Sequence, residues 1–440
     1  MSSELDATTM DASAPRAKAP LEPMIHLIWS AGRLRSDHLR DLPPELVLGR
    51  APGEGGLALP EDHQASRRHA RFLRRGRDVS VEDLGSRNGT FVNGERVSRT
   101  PLVDRDVVRI GSTLLVFRLE DPRQLDVPNE LLVGRSQEIR QVRIAVQRYA
   151  KSSDTVLVVG ETGTGKELVA QALHRVGKRP GELVAVNCAA IQAALAESVL
   201  FGHVAGAFTG ARGDAEGFFR AAGRGTLLLD EVGDMAPSLQ PKLLRALETQ
   251  AVVPVGATKP IAHEARIVAA TNVDLPTAVQ EGRFRDDLLA RLAQLRIELP
   301  PLRDRREDIL LLLDGFLGAG QPELAPSLAE ALVQHPYPRN VRELAAIAAA
   351  LRALGPEVAR FELDHLGDRL SLDEPEDTPR ATTSPPDRTP SQPPPDTEEL
   401  RRLLTLHQGN VTAVARAVGR SRTQTYRLIE QSGLDPTHFR

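Results

Sequence analysis

The chain has one cysteine in 440 residues, so no disulfide can form within it. The apolar setting of Cys188 in VAVNCAAI predicts a packed, reduced thiol with a structural role. Long hydrophobic runs are also missing, and no segment approaches the ~18 uninterrupted apolar residues of a membrane span. The opening MSSELDATTMDASAPRAKAP does not place charge before an apolar stretch, as a secretory signal would. Together these absences predict a cytoplasmic protein. Excess charge of either sign is lacking too, with a net charge of -3 and an isoelectric point near 6.4. This argues against a protein coated in basic charge, so any nucleic-acid contact has to come from a local patch and bulk electrostatics decides nothing. No internal repeat is visible. What is there is a chain with 41% hydrophobic residues, long enough for two or three domains with real cores.

Residues 1–24 are rich in Ala, Ser, Pro and charge without periodicity, which predicts a disordered tail. From 25 to 120, short apolar runs are broken by turn chemistry: LVLGR, HARFLRR, DVSVEDL, NGTFVNGERV, VVRI and STLLVFRL. That rhythm predicts an all-β sandwich with tight turns at Asn88-Gly89 and Asn93-Gly94. Residues 121–130 read as a linker. Between 131 and 300, β-like runs (TVLVVG, LVAVNC, GTLLLDE, ARIVAATN) alternate with helical stretches such as ELVAQALHRVGK and LQPKLLRALETQ. This alternation predicts a parallel sheet with helices on both faces. Residues 301–368 lose the strands and read as a small helical subdomain. From 369 to 396 proline and acid dominate, giving an extended tether without a core. Helical periodicity returns over 397–440 with basic residues in excess.

GETGTGKE comprises Gly160, Glu161, Thr162, Gly163, Thr164, Gly165, Lys166 and Glu167. It follows the apolar run TVLVV and precedes a helical pattern, the context a phosphate-binding loop requires. Its glycines let backbone N–H groups converge on phosphate oxygens, and the helix start adds a favourable dipole. Lys166 is then placed to contact the β- and γ-phosphates of ATP. Glu167 stands where the general motif has the Ser or Thr that holds Mg2+, so the ion must rely on other ligands. GTLLLDE supplies them: Asp230 is the candidate metal ligand, and Glu231 the group that orients and deprotonates a water. The bland alternative is two solvated acids at a strand end. IVAATN ends in Asn272, a candidate sensor of the γ-phosphate that alone would be only a turn former. FGHVAGAFTGARGD poses a separate question, because Gly206 and Gly210 leave the backbone around Phe208 permissive. On the residues alone, its ring is either folded back into the core or left at the surface.

Seven blocks occur in order: GETGTGKE, GAFTGA, LLLDEVGDM, ATNVDL, FRDDLLARL, LPPLRDRREDI and NVREL. They resemble the AAA+ domain of bacterial enhancer-binding proteins, the activators of sigma-54 RNA polymerase. The resemblance implies a ring-forming ATPase in which GAFTGA (Gly206, Ala207, Phe208, Thr209, Gly210, Ala211) is a mobile loop that touches sigma-54. It further implies that Asn187 in VNCAA is the switch partner of Glu231. Arg285 and Arg291 in FRDDLLARL match the positions that reach the γ-phosphate of a neighbouring subunit, and Arg342 in NVREL matches the sensor arginine of the lid. LLVGRS, residues 131–136, resembles the family's opening strand, with Val133 and Gly134 near adenine. One position departs from the family: the usual Pro-Gly-Asn reads Pro338-Arg339-Asn340, which brings the turn before the lid helix into question.

LVLGR, SRRHA and GSRNGTFVNG resemble a forkhead-associated (FHA) domain, a reader of phosphothreonine peptides, over nearly all of 25–120. A dianionic phosphate calls for a forked cation with hydroxyl and amide donors from convergent loops. Under this resemblance those groups are Arg50, Ser66, Arg67 and Asn88, with Gly49 and His69 fixing the loops from within. Arg87 stands where a small hydroxyl residue is often found. No receiver domain is visible, so the expected input is a Ser/Thr kinase or phosphothreonine protein.

In GNVTAVARAVGRSRTQTYRLIEQSGL, a helix carrying Val411, Ala415 and Val418 meets a turn at Gly419 and then a second helix. This is helix-turn-helix geometry and resembles the Fis-type DNA-binding end of the same activators. Arg420, Arg422, Thr423, Gln424, Tyr426 and Arg427 are placed to reach phosphates and base edges. The whole reads as a multidomain chain: an all-β FHA sandwich, an α/β AAA+ P-loop ATPase with a helical lid, and an all-α helix-turn-helix. The expected function is ATP- and Mg2+-dependent activation of sigma-54 RNA polymerase from enhancer DNA by a homo-oligomer, from dimer to hexameric ring. Two rivals stand beside it: a phosphopeptide-binding DNA adaptor with a silent ATPase, and a AAA+ remodeller of some other protein.

Overall fold

A computed structural model of the chain describes residues 20–35, 37–39, 41–123, 126–208, 211–320, 322–355, 358–370, 397–406 and 432. Residues up to Glu374 make one compact unit, and the chain from Pro375 onward makes a second. In the second unit the helix Thr397–Leu406 buries Leu400 and Leu404, one turn apart on a single face. The six candidate DNA contacts, Arg420, Arg422, Thr423, Gln424, Tyr426 and Arg427, lie outside the described residues. Among the described residues no helix is long and apolar enough to cross a membrane.

The first unit opens with a sandwich of two sheets. One runs in the order Arg33–Leu34, Glu22–Ser30, Thr113–Glu120, Val107–Ile110, Thr90–Val92, Glu95–Val97; the other is Arg99–Leu102, Asp78–Asp83, Ala70–Arg75, Glu45–Gly49, Leu57–Ala58. The first strand begins at Glu22, which pairs with Glu120, so it takes in three residues of the segment expected to be tail. Asn93 and Gly94 both adopt positive φ and close the two-residue hairpin that the sequence predicts. At Asn88-Gly89 only the glycine does so.

The run TLLVFRL explains itself in three dimensions. Leu115 and Phe117 point into the sandwich core, while Leu114 and Val116 point out of it and join the apolar cluster of the helical subdomain. A strand buried on both faces reads as continuous rather than alternating apolar sequence. On the neighbouring strand the register shifts between Leu27 and Trp29, and this bulge lets Ile28 and Trp29, adjacent in sequence, both reach that cluster.

The central domain has a five-stranded, all-parallel sheet in the order Leu183–Asn187, Thr226–Asp230, Arg266–Thr271, Val156–Val159, Leu295–Glu298. Alternate residues of each strand serve opposite layers. Leu227, Leu229, Ile267 and Ala269 pack with helices Ala193–Phe201, Gln240–Thr249 and Asp286–Leu292. Leu228, Val268 and Ala270 pack with Gln137–Tyr149 and Lys166–Gly177. Side chains alternate between the two faces of a strand, and both faces are covered, as the sequence predicts. The lid follows as three helices, Arg306–Leu317, Pro326–Gln334 and Asn340–Ala353.

One expected element is absent: LLVGRS forms no strand. Its polar backbone groups are satisfied by side chains instead of a sheet neighbour. Arg135 N and Ser136 N donate to the Asp308 carboxylate, Arg143 donates to the carbonyls of Leu132 and Gly134, and Gly134 sits at φ 151. The segment instead ends as the N-cap of helix Gln137–Tyr149, where Ser136 Oγ accepts from Ile139 N.

Candidate nucleotide and phosphopeptide sites

The parallel sheet brings its strand ends to one edge, and there the chemistry of GETGTGKE, LLLDE and ATN meets. Gly163 (φ 80) and Gly165 (φ 104) bend the loop into helix Lys166–Gly177. A Cβ at Gly163 would stand 2.2 Å from Arg339 O and 3.0 Å from the Arg342 Cβ, so the lid also demands glycine there. Lys166 is buried; its Nζ donates to Gly160 O at 3.0 Å and stands 3.8 Å from Glu231 Oε1. Glu231 has φ 50, a strained conformation for a residue with a side chain, and Asp230 Oδ1 accepts its backbone N–H at 3.0 Å. Asn272 ties the two motifs together, its N–H 3.4 Å from Glu231 Oε2 and its Nδ2 donating to Thr162 Oγ1 at 2.9 Å. Thr164 Oγ1 closes the loop on Glu161 O at 2.8 Å, and Glu167 lies exposed in the first helical turn. A half-buried Asp230 with Glu231 beside it suits the Mg2+ of a bound nucleotide, an ion that takes one or two carboxylates and fills its shell with phosphate oxygens and water.

The remaining candidates sit around this centre. Asn187 pairs in register with Asp230, but its Oδ1 accepts from Ala189 N and Ala190 N in its own turn. Arg285 is exposed and forks onto Asp287. Arg291 is half-buried and donates to Leu247 O at 2.9 Å. Arg342 is exposed at the start of the last lid helix. Arg339 adopts φ -110, a conformation open to any side chain; Tyr337 and Asn340 take the positive φ of the turn instead. The departure from Pro-Gly-Asn therefore leaves the turn intact. Val133 is exposed on the irregular segment before the first helix of the domain. Cys188 packs against this edge, where burial and then the nearby Asp230, Asp234 and Glu231 carboxylates push its thiol up to about 12.

Two residues that the sequence pattern did not single out hold the lid to the loop. Arg303 grips Glu161 with both guanidinium nitrogens, at 2.6 and 2.9 Å. Asn340 Nδ2 donates to Glu161 Oε2 at 3.0 Å and Thr162 O at 3.1 Å. The hydrogen bond from Arg303 holds the Glu161 carboxyl below its usual range against the opposing effect of burial, with Asn340 helping. The sequence signals were an asparagine beside the unusual Arg339 and the place of Arg303 within LPPLRDRREDI.

Of the GAFTGA loop, Gly206, Ala207, Phe208 and Ala211 are described, and Thr209 and Gly210 lie outside. Phe208 stays at the surface, 39% exposed, its ring edge against His203 with centroids 5.0 Å apart. Gly206 N donates to Ala211 O, and Ala211 N to Phe208 O, so the loop closes on itself.

At one end of the sandwich three loops are tied together. Arg50 N donates to Ser66 O at 2.9 Å, Arg87 N to Ser66 Oγ at 3.1 Å, and Asn88 Nδ2 to Gln64 O at 2.7 Å. The fully buried His69 works from beneath: its Nδ1 accepts from Ser66 N, which leaves Nε2 as the donor to Gly89 O. A Cβ at Gly49 would lie 2.4 Å from Arg67 O, so only glycine fits where these loops cross. Asp83 braces the Asn88 turn by accepting from Gly85 N, Ser86 N, Ser86 Oγ and Thr90 Oγ1. Arg50, Arg67, Arg87 and Asn88 are exposed on this frame, and Ser66 is half-buried. These loops thus carry exposed guanidinium groups, an exposed amide and a half-buried hydroxyl, the donor types that phosphate recognition uses.

A sigma-54 interaction domain model matches residues 132–298, an FHA domain model 46–111 and a AAA+ ATPase lid domain model 303–383. The transcriptional regulatory protein GlrR of Escherichia coli K12 is 37% identical over 321 residues, 71% of this chain and 70% of GlrR. The regulator NtrC of Rhizobium meliloti is 45% identical over 247 residues, 54% of this chain and 50% of NtrC. The putative uric acid sigma-54-dependent regulator UacR of E. coli K12 is 49% identical over 224 residues, 49% of this chain but 38% of UacR. The match thus spans half or less of the length of these last two relatives. Among solved structures, NtrX from Brucella abortus in complex with ATP superposes with a TM-score of 0.50 at 30% identity, covering 70% of each chain.

Proposed function

The chain belongs to the sigma-54-dependent transcriptional regulators, and from that premise we propose that it is an activator that hydrolyses ATP to remodel the sigma-54 RNA polymerase closed complex, under phosphothreonine control. The observation that carries this reading is the meeting of Lys166, Asp230, Glu231 and Asn272 at one sheet edge beneath a lid fastened to the phosphate loop. Lys166 exchanges its loop carbonyls for phosphate oxygens. Glu231, whose Oε1 stands 3.8 Å from Lys166 Nζ, orients a water and takes its proton. Asp230 would be the residue to hold a Mg2+, which would supply neutralisation of phosphate charge. Arg285 and Arg291 act on the nucleotide of a neighbouring subunit in a ring, and Asn187 reports the state of Glu231 to the GAFTGA loop. Phe208, exposed at a cost in water, is the contact that sigma-54 buries. The C-terminal residues from Arg420 to Arg427 dock enhancer DNA, and Arg50, Ser66, Arg67 and Asn88 dock a phosphothreonine protein.

Two measurements test the proposal. Glu231→Gln is expected to retain ATP while slowing its turnover by about 10²–10⁴-fold. A complex with sigma-54 trapped on a transition-state mimic is expected for the wild type and lost in Phe208→Ala. Undiminished turnover in Glu231→Gln would remove the catalytic assignment, and equal capture by both proteins would direct the motor to another target.

A further inference from the structure

One short segment, Arg303–Asp308, lies between the phosphate loop and the FHA sandwich, and its side chains divide between them. Arg303 holds Glu161 of the loop. Asp304 accepts from Arg105 Nη1 of the sandwich at 2.8 Å. Arg305 is buried under the loop, its Nη2 3.5 Å from Thr164 O. Arg306 donates to Arg105 O at 3.0 Å. Glu307, buried, pairs with the buried Arg118 of the sandwich. Just before them, Leu302 N donates to Asn340 Oδ1 at 2.7 Å, and the other end of that same amide holds Glu161 and Thr162.

The sandwich is firmly seated where it touches this segment. Ile28, Trp29, Val107, Leu114 and Val116 share one buried cluster with Leu302, Ile309, Leu310 and Leu313 of the lid. Beside it, Arg118 also donates to Glu138 at 2.6 Å and Asp104 at 3.1 Å. Burial works against the Arg118 charge, but Glu307, Glu138 and Asp104 more than offset it and hold its pKa above the usual value. Arg109, stacked 3.8 Å over the Phe91 ring, reaches Glu330 of the second lid helix at 2.7 Å. Exposed ion pairs contribute little, whereas removing one member of a buried pair leaves an uncompensated charge. The interface therefore resists displacement, and it bears directly on residues 304–308 through Arg105 and Arg118.

We propose that Arg303–Asp308 is a clip through which the FHA domain positions the lid and Glu161 over the nucleotide, making Arg105 and Asp304 positioning residues for ATP binding. This inference rests on the reading of the Lys166 loop as an ATP site. The side chains facing Glu161 are Arg303 and Asn340, and both belong to the segment or bond directly to its start, so a shift of the sandwich has a short mechanical route to the loop.

The test is a double-mutant cycle in the full chain, read as the dissociation constant of a fluorescent ADP analogue and as KM and kcat for ATP. Arg105→Gln is expected to weaken the analogue roughly 5-fold or more, the low end of common inter-site couplings, and to raise KM more than it lowers kcat. Asp304→Asn breaks that ion pair alone and leaves Arg105 beside Asp104 and Glu138, at 3.7 and 3.6 Å; it is expected to weaken the analogue in the same direction and decides the matter should Arg105→Gln fold poorly. In a Glu161→Gln background neither substitution should add a further loss. Losses that multiply independently would make Arg105 a merely structural residue and overturn the clip, as would wild-type affinity in both variants. A wild-type chain that binds no nucleotide at all would overturn the ATP reading and the clip together.

Discussion

The two candidate phosphate sites, the Lys166 loop and the end of the sandwich, are built from opposite materials. In the phosphate loop the cation is buried: Lys166 is 7% exposed, and its Nζ is held by the backbone carbonyls of Gly160 and Glu161. At the end of the sandwich the cations Arg50 and Arg67 stand in water, and what is buried is the frame, His69 beneath the loops and Gly49 at their crossing. A charge removed from water acts more strongly on phosphate and is weakly screened, which suits a reaction that needs the γ-phosphate held in one place. Exposed guanidinium groups on a rigid frame recognise phosphate reversibly and in many contexts, at the cost of screening by salt. On the proposed reading, the difference separates a site for chemistry from a site for recognition, with phosphate the ligand of both.

The sharpest way to break this comparison is to exchange the losses. Lys166→Ala is expected to cut ATP turnover by about 10²-fold or more, as removal of a buried transition-state donor does, while Arg50→Ala leaves turnover unchanged; a steady-state ATPase assay on both variants decides it. Next in size is recognition. Arg50→Ala should weaken a phosphothreonine peptide by about 10–100-fold, the equivalent of one or two charge-assisted hydrogen bonds. Fluorescence anisotropy would measure it, with rising salt weakening the peptide more than the nucleotide. The buried frame comes third. Gly49→Ala drives a Cβ into Arg67 O and should cost the sandwich about 1–3 kcal/mol, and His69→Ala, which strands Ser66 N, a similar amount; both appear as a lower Tm. The smallest effect concerns Cys188. With its thiol pushed up to about 12, thiolate is scarce at pH 8 and increases only as the pH rises toward that value. Alkylation by iodoacetamide should therefore be slow in the native chain and fast after denaturation.

Both devices are legible in the order of the residues because their signals are local. Gly160 to Lys166 are consecutive, and Asp230 and Glu231 end one apolar strand, so strand, turn and helix patterns suffice. The continuous apolar run over residues 114–117 also spells out a strand buried on both faces, although nothing in it names the partner of the outer face. LLVGRS misleads for the converse reason. It is apolar enough to be a strand, but Asp308, far along the chain, takes its N–H groups. The Arg303 and Asn340 contacts with Glu161 escape a sequence reading because they join residues 142 and 179 positions apart, beyond the reach of any periodicity. Asn187 and Arg285 are placed by resemblance, and each has a partner of its own in the folded chain, in Ala189 and Asp287.

The sequence by itself determined most of the strands, loops and helices, LLVGRS apart, and where the candidate phosphate-binding residues lie along the chain, because backbone preference and apolar period act over a few residues at a time. Tertiary structure alone decided that the sandwich seats on the lid and that one segment touches both devices. Those contacts are made by an apolar face whose partner no local pattern names, and by charged side chains whose pairing depends on how close folding brings them and how far it removes them from water; neither is written in the order of the residues.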